Sequence, residues 1–333
     1  MAIFTSFRMQ QAAGNLGGFV LRANTRGIWA GAFYFVYQTG LVGSNIMEYL
    51  TLASTGNLTD FGDLVSARGQ GGGAGSSSRG VLMGGSGQVD QIDYRAIAST
   101  GNASDFGNLT QGREYVTALS DETRAIAGGG TTGASNTDTH VNTMDYITIA
   151  STGNATDYGD LQYSAKDRSG AANSTRGLFS GGYSFISGAN AYPRGIDYVT
   201  IASTGNASDF GDDLAYSSDG RKEIASCADE TRALWAGGGT HITSAYSNFS
   251  YSTIATTGNA SQFGDYIQTP SSGLSTRGGG EGVASDTRGV FAGDQNISSK
   301  TLYVTIMTTG NCVNFGDHNA VNFSGCGSFG GLS

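Results

Sequence analysis

The sequence predicts an all-β protein, a six-bladed β-propeller of four-stranded antiparallel blades. Three observations predict it. The phrase Thr-Gly-Asn recurs six times at near-constant spacing. The residues just before it alternate apolar and polar with a period of two. Glycine, 54 of 333 residues, stands beside 16 Phe and 16 Tyr, and 38% of the chain is apolar. That mixture makes short strands and tight turns around a core rather than a disordered chain.

The glycines of the phrase are Gly56, Gly101, Gly153, Gly205, Gly258 and Gly310, so successive copies lie 45, 52, 52, 53 and 52 residues apart. A second phrase precedes each copy: Ser/Thr-Arg, a small residue, an apolar run and glycine. Its arginines are Arg26, Arg79, Arg124, Arg176, Arg232 and Arg288. One unit of this size cannot bury both faces of its sheet. Six in a ring can, and a ring leaves no long open edge. The predicted blades span roughly 18–64, 65–109, 110–161, 162–214, 215–266 and 267–318. An N-terminal arm, 1–17, and a C-terminal tail, 319–333, lie outside them and either close the ring or contact a neighbouring subunit.

Each unit reads as strands a to d. Strand a precedes Thr-Arg, as in 223–229, and Thr-Arg marks the a–b turn. Strand b is the apolar run closed by glycine. In strand c, Asp197, Val199 and Ile201 alternate with Tyr198, Thr200 and Ala202. Gly-Asn is expected to form the c–d hairpin because both residues tolerate positive φ. Strand d is the Asp-aromatic-Gly run. Asp212-Asp213 adds a residue that the other five copies lack. This predicts a bulge or a longer d–a connection, with Asp213 dispensable for folding.

Arg68, Arg221 and Arg277 each precede a strand-b glycine, Gly84, Gly237 and Gly293, by 16 residues. A tyrosine follows in strand c and an aromatic in strand d. This pattern resembles the kelch repeat, with Phe or Tyr in strand d where kelch repeats carry Trp. The wording "TRG-apolar-GG … IDYVTIASTGNASDFGDL" is similar to kelch-like repeat proteins encoded by marine bacteriophages, across residues 18–318. The resemblance implies a six-bladed kelch-like propeller used as a virion component.

Composition narrows the function further. The net charge of −9 argues against nucleic acid as a main partner. Only 14% of residues are charged, and lysine occurs three times, at Lys166, Lys222 and Lys300. Such thin charge suits a protein packed into a multi-copy assembly. Cys227, Cys312 and Cys326 make no disulfide framework and read as thiols, with Cys312 and Cys326 the pair that could join. The N-terminus lacks the charged region and apolar core of a signal peptide. The most apolar segment, 27–43, is broken by glycine and shorter than the ~20 residues of a spanning helix. The expectation is a protein made in the host cytoplasm, without membrane insertion, and located in the virion.

Residues that invite chemistry have simpler readings. Asn57, Asn102, Asn154, Asn206 and Asn259 stand in Asn-x-Ser/Thr and read as turn residues rather than glycan acceptors. Asp60, Asp105, Asp157 and Asp209 lack calcium-loop spacing, and Gln262 and Asn314 replace them in the last two units, so they read as turn-closing acceptors. The six Thr-Arg arginines are expected to hold blade to blade through carbonyls or a carboxylate such as Asp63 or Asp160. The glycine run 69–75 is followed by no Lys-Ser/Thr and reads as strand a near the axis. His140, His241 and His318 fall in different units, and no nucleophile elbow occurs. No catalytic residue, metal site or cofactor is predicted.

What the six units share reads as scaffold, so function is sought where they differ. The b–c loops vary most, at 32–47, 131–144, 183–195 and 240–250. They carry Phe33, Tyr34, Phe35, Tyr37, His140, Tyr183, Phe185, Tyr192, His241, Tyr246 and Phe249. In a propeller they share one face with the d–a connections, and aromatic rings there suit protein contact or sugar stacking. The reading is a non-enzymatic bacteriophage virion structural protein, a tail, fibre or capsid-surface module, whose partners are other virion proteins and a host-surface glycan or protein. The alternatives are a carbohydrate-acting enzyme, a copper-type oxidase of the kind found on some kelch propellers with a Tyr–Cys crosslink, and a cellular kelch adaptor.

Overall fold

A computed structural model of the chain describes residues 19–20, 26–36, 40–133, 139–186, 189–214, 220–241, 244–245, 248–265, 281–292, 300–317 and 327–330. Among these residues every regular element is a strand. After β1 (Phe19–Val20), strands β2 (Arg26–Val36), β3 (Gly40–Thr51) and β4 (Thr59–Asp63) form the outer part of blade 1. Blade 2 is β5 (Gly72–Gly75), β6 (Arg79–Met83), β7 (Gln91–Ala96) and β8 (Ser104–Asn108). Blade 3 is β9 (Thr117–Ser120), β10 (Arg124–Gly128), β11 (Thr143–Thr148) and β12 (Thr156–Asp160).

Blade 4 joins β13 (Ser169–Ala172), β14 (Arg176–Ser180), β17 (Gly195–Thr200) and β18 (Ser208–Asp212), with the hairpin β15 (Ser184–Ile186) and β16 (Ala189–Ala191) set into its b–c connection. Blade 5 joins β19 (Ala225–Ala228), β20 (Arg232–Ala236), β23 (Asn248–Thr253) and β24 (Ser261–Asp265), with the smaller hairpin β21 (Gly239–His241) and β22 (Ser244–Ala245). Blade 6 is β25 (Glu281–Ala284), β26 (Arg288–Ala292), β27 (Lys300–Thr305) and β28 (Val313–Asp317). The protein is a six-bladed β-propeller of four-stranded antiparallel blades.

The first and last of the described strands both join the ring. The last strand, β29 (Gly327–Gly330), pairs antiparallel with β2, from Gly27↔Gly330 to Ala30↔Gly327, and is the inner strand of blade 1. Strand β1 runs parallel to β25, with Phe19 opposite Val283 and Val20 opposite Ala284. It also approaches the inner strands of the other five blades, which places it on the propeller axis. The inner strands are built from small residues, such as Gly-Gly-Ala-Gly in β5 and Ser-Gly-Ala-Ala in β13. They crowd: a Cβ at Gly72 would lie 2.7 Å from the Ala118 nitrogen.

The core is a set of layers between blades. Trp29, Leu50 and Leu52 of blade 1, for example, pack with Val283, Val290 and Phe315 of blade 6. Each layer is sealed by a repeated stack. The Thr-Arg guanidinium lies 4.6 Å to 5.1 Å from the ring of the strand-c tyrosine of its own blade, as Arg79 does over Tyr94 and Arg288 over Tyr303. The other contact of that tyrosine is edge-to-face with the strand-d aromatic, as in Tyr94–Phe106 at 5.7 Å. The same guanidiniums donate to carbonyls that end strand c of the next blade: Arg124 to Ile201 and Ala202, Arg176 to Ile254 and Ala255, and, across the closure, Arg288 to Leu52 and Ala53. All six donate across the seam to backbone carbonyls, rather than to the carboxylates of Asp63 or Asp160.

The Thr-Gly-Asn phrase also belongs to the seams, which corrects its reading as a simple turn. Gly101, Gly153, Gly205 and Gly258 have positive φ, from 139° to 156°, but the asparagines do not. The asparagine instead reaches the free edge of strand d in the preceding blade. Asn102 Oδ1 accepts from the Asp63 amide, Asn154 from Asn108, Asn206 from Asp160, Asn259 from Asp212 and Asn311 from Asp265, all at 2.9 Å to 3.1 Å. Two backbone bonds flank each contact, such as Gly205 N to Tyr158 O and Ala207 N to Asp160 O, both 2.8 Å. The strand-d edges of blades 1 to 5 are therefore paired, which removes the open edges those blades would otherwise present. The approach is close enough to require glycine in strand d: a Cβ at Gly159 would press on the Gly205 carbonyl. Replacing Asn206 by alanine should cost about 1 kcal/mol, read by chemical denaturation, because one net hydrogen bond is lost.

A second set of arginines is buried. Arg68 pairs with Asp93 at 3.0 Å, Arg113 with Asp145 at 2.6 Å and Arg168 with Asp197 at 2.7 Å. The carboxylate comes from strand c in each case. The spacing of 16 seen in the sequence is a bond as well: Arg68 donates to Gly84 O, Arg113 to Gly129 O and Arg221 to Gly237 O. Blade 5 has Ser250 where strand c of blades 2 to 4 has aspartate. Its Arg221 pairs instead with Asp213, Nε to Oδ2 at 2.6 Å and Nη2 to Oδ1 at 3.0 Å, while Ser250 Oγ donates to Asp213 at 2.6 Å. The extra residue is thus a substitute carboxylate from blade 4. It is buried, and the expectation that Asp213 is dispensable is corrected.

Candidate interaction face

Strand b ends, and strand c begins, at the end of the blade where strand d ends and strand a begins. Short backbone bridges tie these connections into one surface: Glu114 to Thr131, Thr131 to His140, Lys166 to Tyr183 and Lys222 to Gly239. Gln70, Tyr115, Asp167 and Glu223 occupy the same position, two residues before strand a, and all have φ near +60°. Non-glycine residues rarely adopt this conformation, so the surrounding structure must hold it.

Three of the loop residues singled out in the sequence come together here. His140 of blade 3 stacks edge-on against Tyr183 of blade 4, centroids 5.3 Å apart, and the Tyr192 ring lies 5.7 Å from that of Tyr183. Lys166 Nζ sits 4.7 Å from the Tyr115 ring and 5.7 Å from that of Tyr183, and Lys222 Nζ lies 5.8 Å from Tyr183. Lys222 also meets Asp167 at 3.7 Å and contacts Glu223. Burial alone would lower the pKa of Lys222, but Asp167 and Glu223 outweigh it and hold the pKa above the ordinary lysine value. Its ammonium is therefore a fixed positive charge.

Alternation along β15 completes the picture. Ser184 is buried and its Oγ donates to Ser164 O, so Tyr183 and Phe185 point the other way together. Phe185 is 56% exposed and Tyr163, beside Gly195, is 43% exposed.

The remaining loop residues fall elsewhere. Phe33, Tyr34 and Phe35 lie in the extended β2–β3 hairpin, opposite Gly43, Val42 and Leu41. His241 lies in β21. Tyr37 and Tyr246 lie outside the described residues, as do His318 and Cys326. Phe249 is not a surface residue: it lies in β23, fully buried, packed on Phe263 and Phe291. Cys227 and Cys312 are buried in the same core layer, and desolvation pushes the Cys227 thiol well above the ordinary range. Among the described residues no group of three His, Cys, Asp or Glu is placed to hold a metal ion.

Sequence reasoning missed Tyr115, Lys166, Asp167, Lys222 and Glu223. A signal was present: two of the three lysines in the chain occupy equivalent positions of neighbouring blades. Compared with protein families and with curated proteins, the sequence matches no family model and no curated protein.

Proposed function

We propose that the chain is a non-enzymatic binding module, a bacteriophage virion structural protein whose b–c and d–a face contacts other virion proteins or the host surface. One observation carries the reading. The Thr-Arg arginines of all six blades and five of the six Thr-Gly-Asn asparagines bond across blade seams, whereas His140, Tyr183, Tyr192, Lys166 and Lys222, which differ between blades, gather on a single face. The kelch-like, phage-like wording of the repeats supports the virion assignment, and the low content of charged residues suits a packed assembly. Mass spectrometry of purified particles of the encoding phage should detect the chain as a component. Particles without it, together with recovery of a cellular protein in pull-downs, would favour a cellular adaptor instead.

A further inference from the structure

We infer that the propeller axis is a strand-binding site for an extended, uncharged peptide, and that β1 is its resident and replaceable occupant. The inference rests on the binding-module reading, because the site opens at the centre of the same face. Strand β1 is two residues long, yet it touches the inner strands of all six blades, β5, β9, β13, β19, β25 and β29. The channel is therefore one strand wide, too narrow for a helix about 10–12 Å across. Its walls meet closely: a Cβ at Gly282 would press on the Ser226 carbonyl.

Backbone groups on the axial edge of an inner strand need partners. In blades 2 and 4 a hydroxyl of a neighbouring inner strand supplies one: Ser120 Oγ donates to Gly75 O and Ser226 Oγ to Gly170 O. Strand β25 is met by a strand instead, with Phe19 opposite Val283 and Val20 opposite Ala284 in parallel. This is strand addition, in which the backbone supplies affinity whatever the side chains. The inner strands β5, β9, β13, β19 and β29 contain no charged residue, and β25 has Glu281 alone, at its first position. A charged occupant would lose water without gaining a partner. Direction follows from the pairing. Strand β25 starts at the d–a end, so β1 runs inward from the interaction face, and β2 starts from the opposite face at the a–b turn. A partner docked on the interaction face reaches the site with an extended C-terminal tail, which enters in the direction of β1. A strand of two residues is among the parts of a fold that open at low cost, so β1 gives way to it.

Fluorescence anisotropy of a labelled peptide with the sequence of residues 15–21 and capped ends tests the inference on the full chain. In the double variant Phe19→Asp, Val20→Asp, two charges expel β1 from the uncharged channel. The peptide should bind this variant about tenfold more tightly than the parent, whose site is filled. Amide exchange at Val283 and Ala284 should be slow in the parent, fast in the variant and slow again with peptide. The double variant Phe19→Gly, Val20→Gly weakens β1 without adding charge and should show the same order to a smaller extent. Equal binding to parent and variants, no binding to either variant, or exchange at Val283 and Ala284 that ignores the peptide would overturn it. Unfolding of both variants would also overturn it, because β1 would then be a fixed part of the ring. A chain found in particles whose variants take no peptide overturns this inference alone and leaves the binding-module reading in place.

Discussion

Replacing Asp213 by alanine should destabilise the protein by about 3–5 kcal/mol, because it strands the buried Arg221 guanidinium without its counter-charge. Asp213 is 4% and Arg221 2% exposed, so water cannot take over the role of the carboxylate. The expected loss is several times that for Asn206→Ala. The same logic supplies a rescue. Ser250 occupies the strand-c position that holds Asp93, Asp145 and Asp197 in blades 2 to 4. Asp213→Ala combined with Ser250→Asp returns a carboxylate to Arg221 from the usual side and should recover most of the stability. Guanidinium unfolding of the three proteins reads this directly. A single variant as stable as the parent would show that the pair contributes nothing, and a double variant no better than the single would show that the two positions are not interchangeable.

The second large effect is at the C-terminus. A chain ending at residue 326 lacks β29, so β2 loses its inner partner along Gly27 to Ala30. Ile28 and Trp29, both fully buried, lie in that stretch. Side chains of this size contribute about 1.5–3 kcal/mol each when buried, and the backbone of β2 would also lose a ladder of hydrogen bonds. Blade 1 would then lack its inner strand, and the packing of that strand against β5 of blade 2 and β25 of blade 6 would be lost. The truncated chain should lose cooperative unfolding, seen as a broadened transition by circular dichroism. A sharp transition at the parental temperature would mean that the seam contacts of Arg288 and of the Trp29–Val283 layer close the ring without β29.

The architecture was legible because each blade repeats its own instructions. Alternation in strand c, glycine at the seams and Thr-Arg at the a–b turn recur six times, and repetition separates pattern from accident. What was not legible lies between blades. The role of Asn206 depends on an amide in the previous blade, 46 positions away. Asp213 looked superfluous because the deficit it fills is a serine in the next blade's strand c. The inner strand Gly-Ser-Phe-Gly of β29 carries no alternation that could announce its place. The sequence places Phe249 on the loop face because the predicted loop, 240–250, runs three residues into β23. On the variable face, composition points to His140, Tyr183 and Tyr192, but their lysine and carboxylate neighbours come from two d–a connections and converge only in space.

The central claim is that shared residues hold the ring together and the b–c and d–a face makes the contacts. A cryo-electron microscopy map of particles of the encoding phage, the setting proposed above, tests it most directly. The account predicts density from a partner over Tyr183, Phe185 and Tyr192 for a particle-internal contact, or those residues directed outward toward the host for a receptor contact, with the c–d loops around Thr204 attached to neither. A map in which the c–d loops form the contact while the Tyr183 face points into empty solvent inside the particle would contradict it.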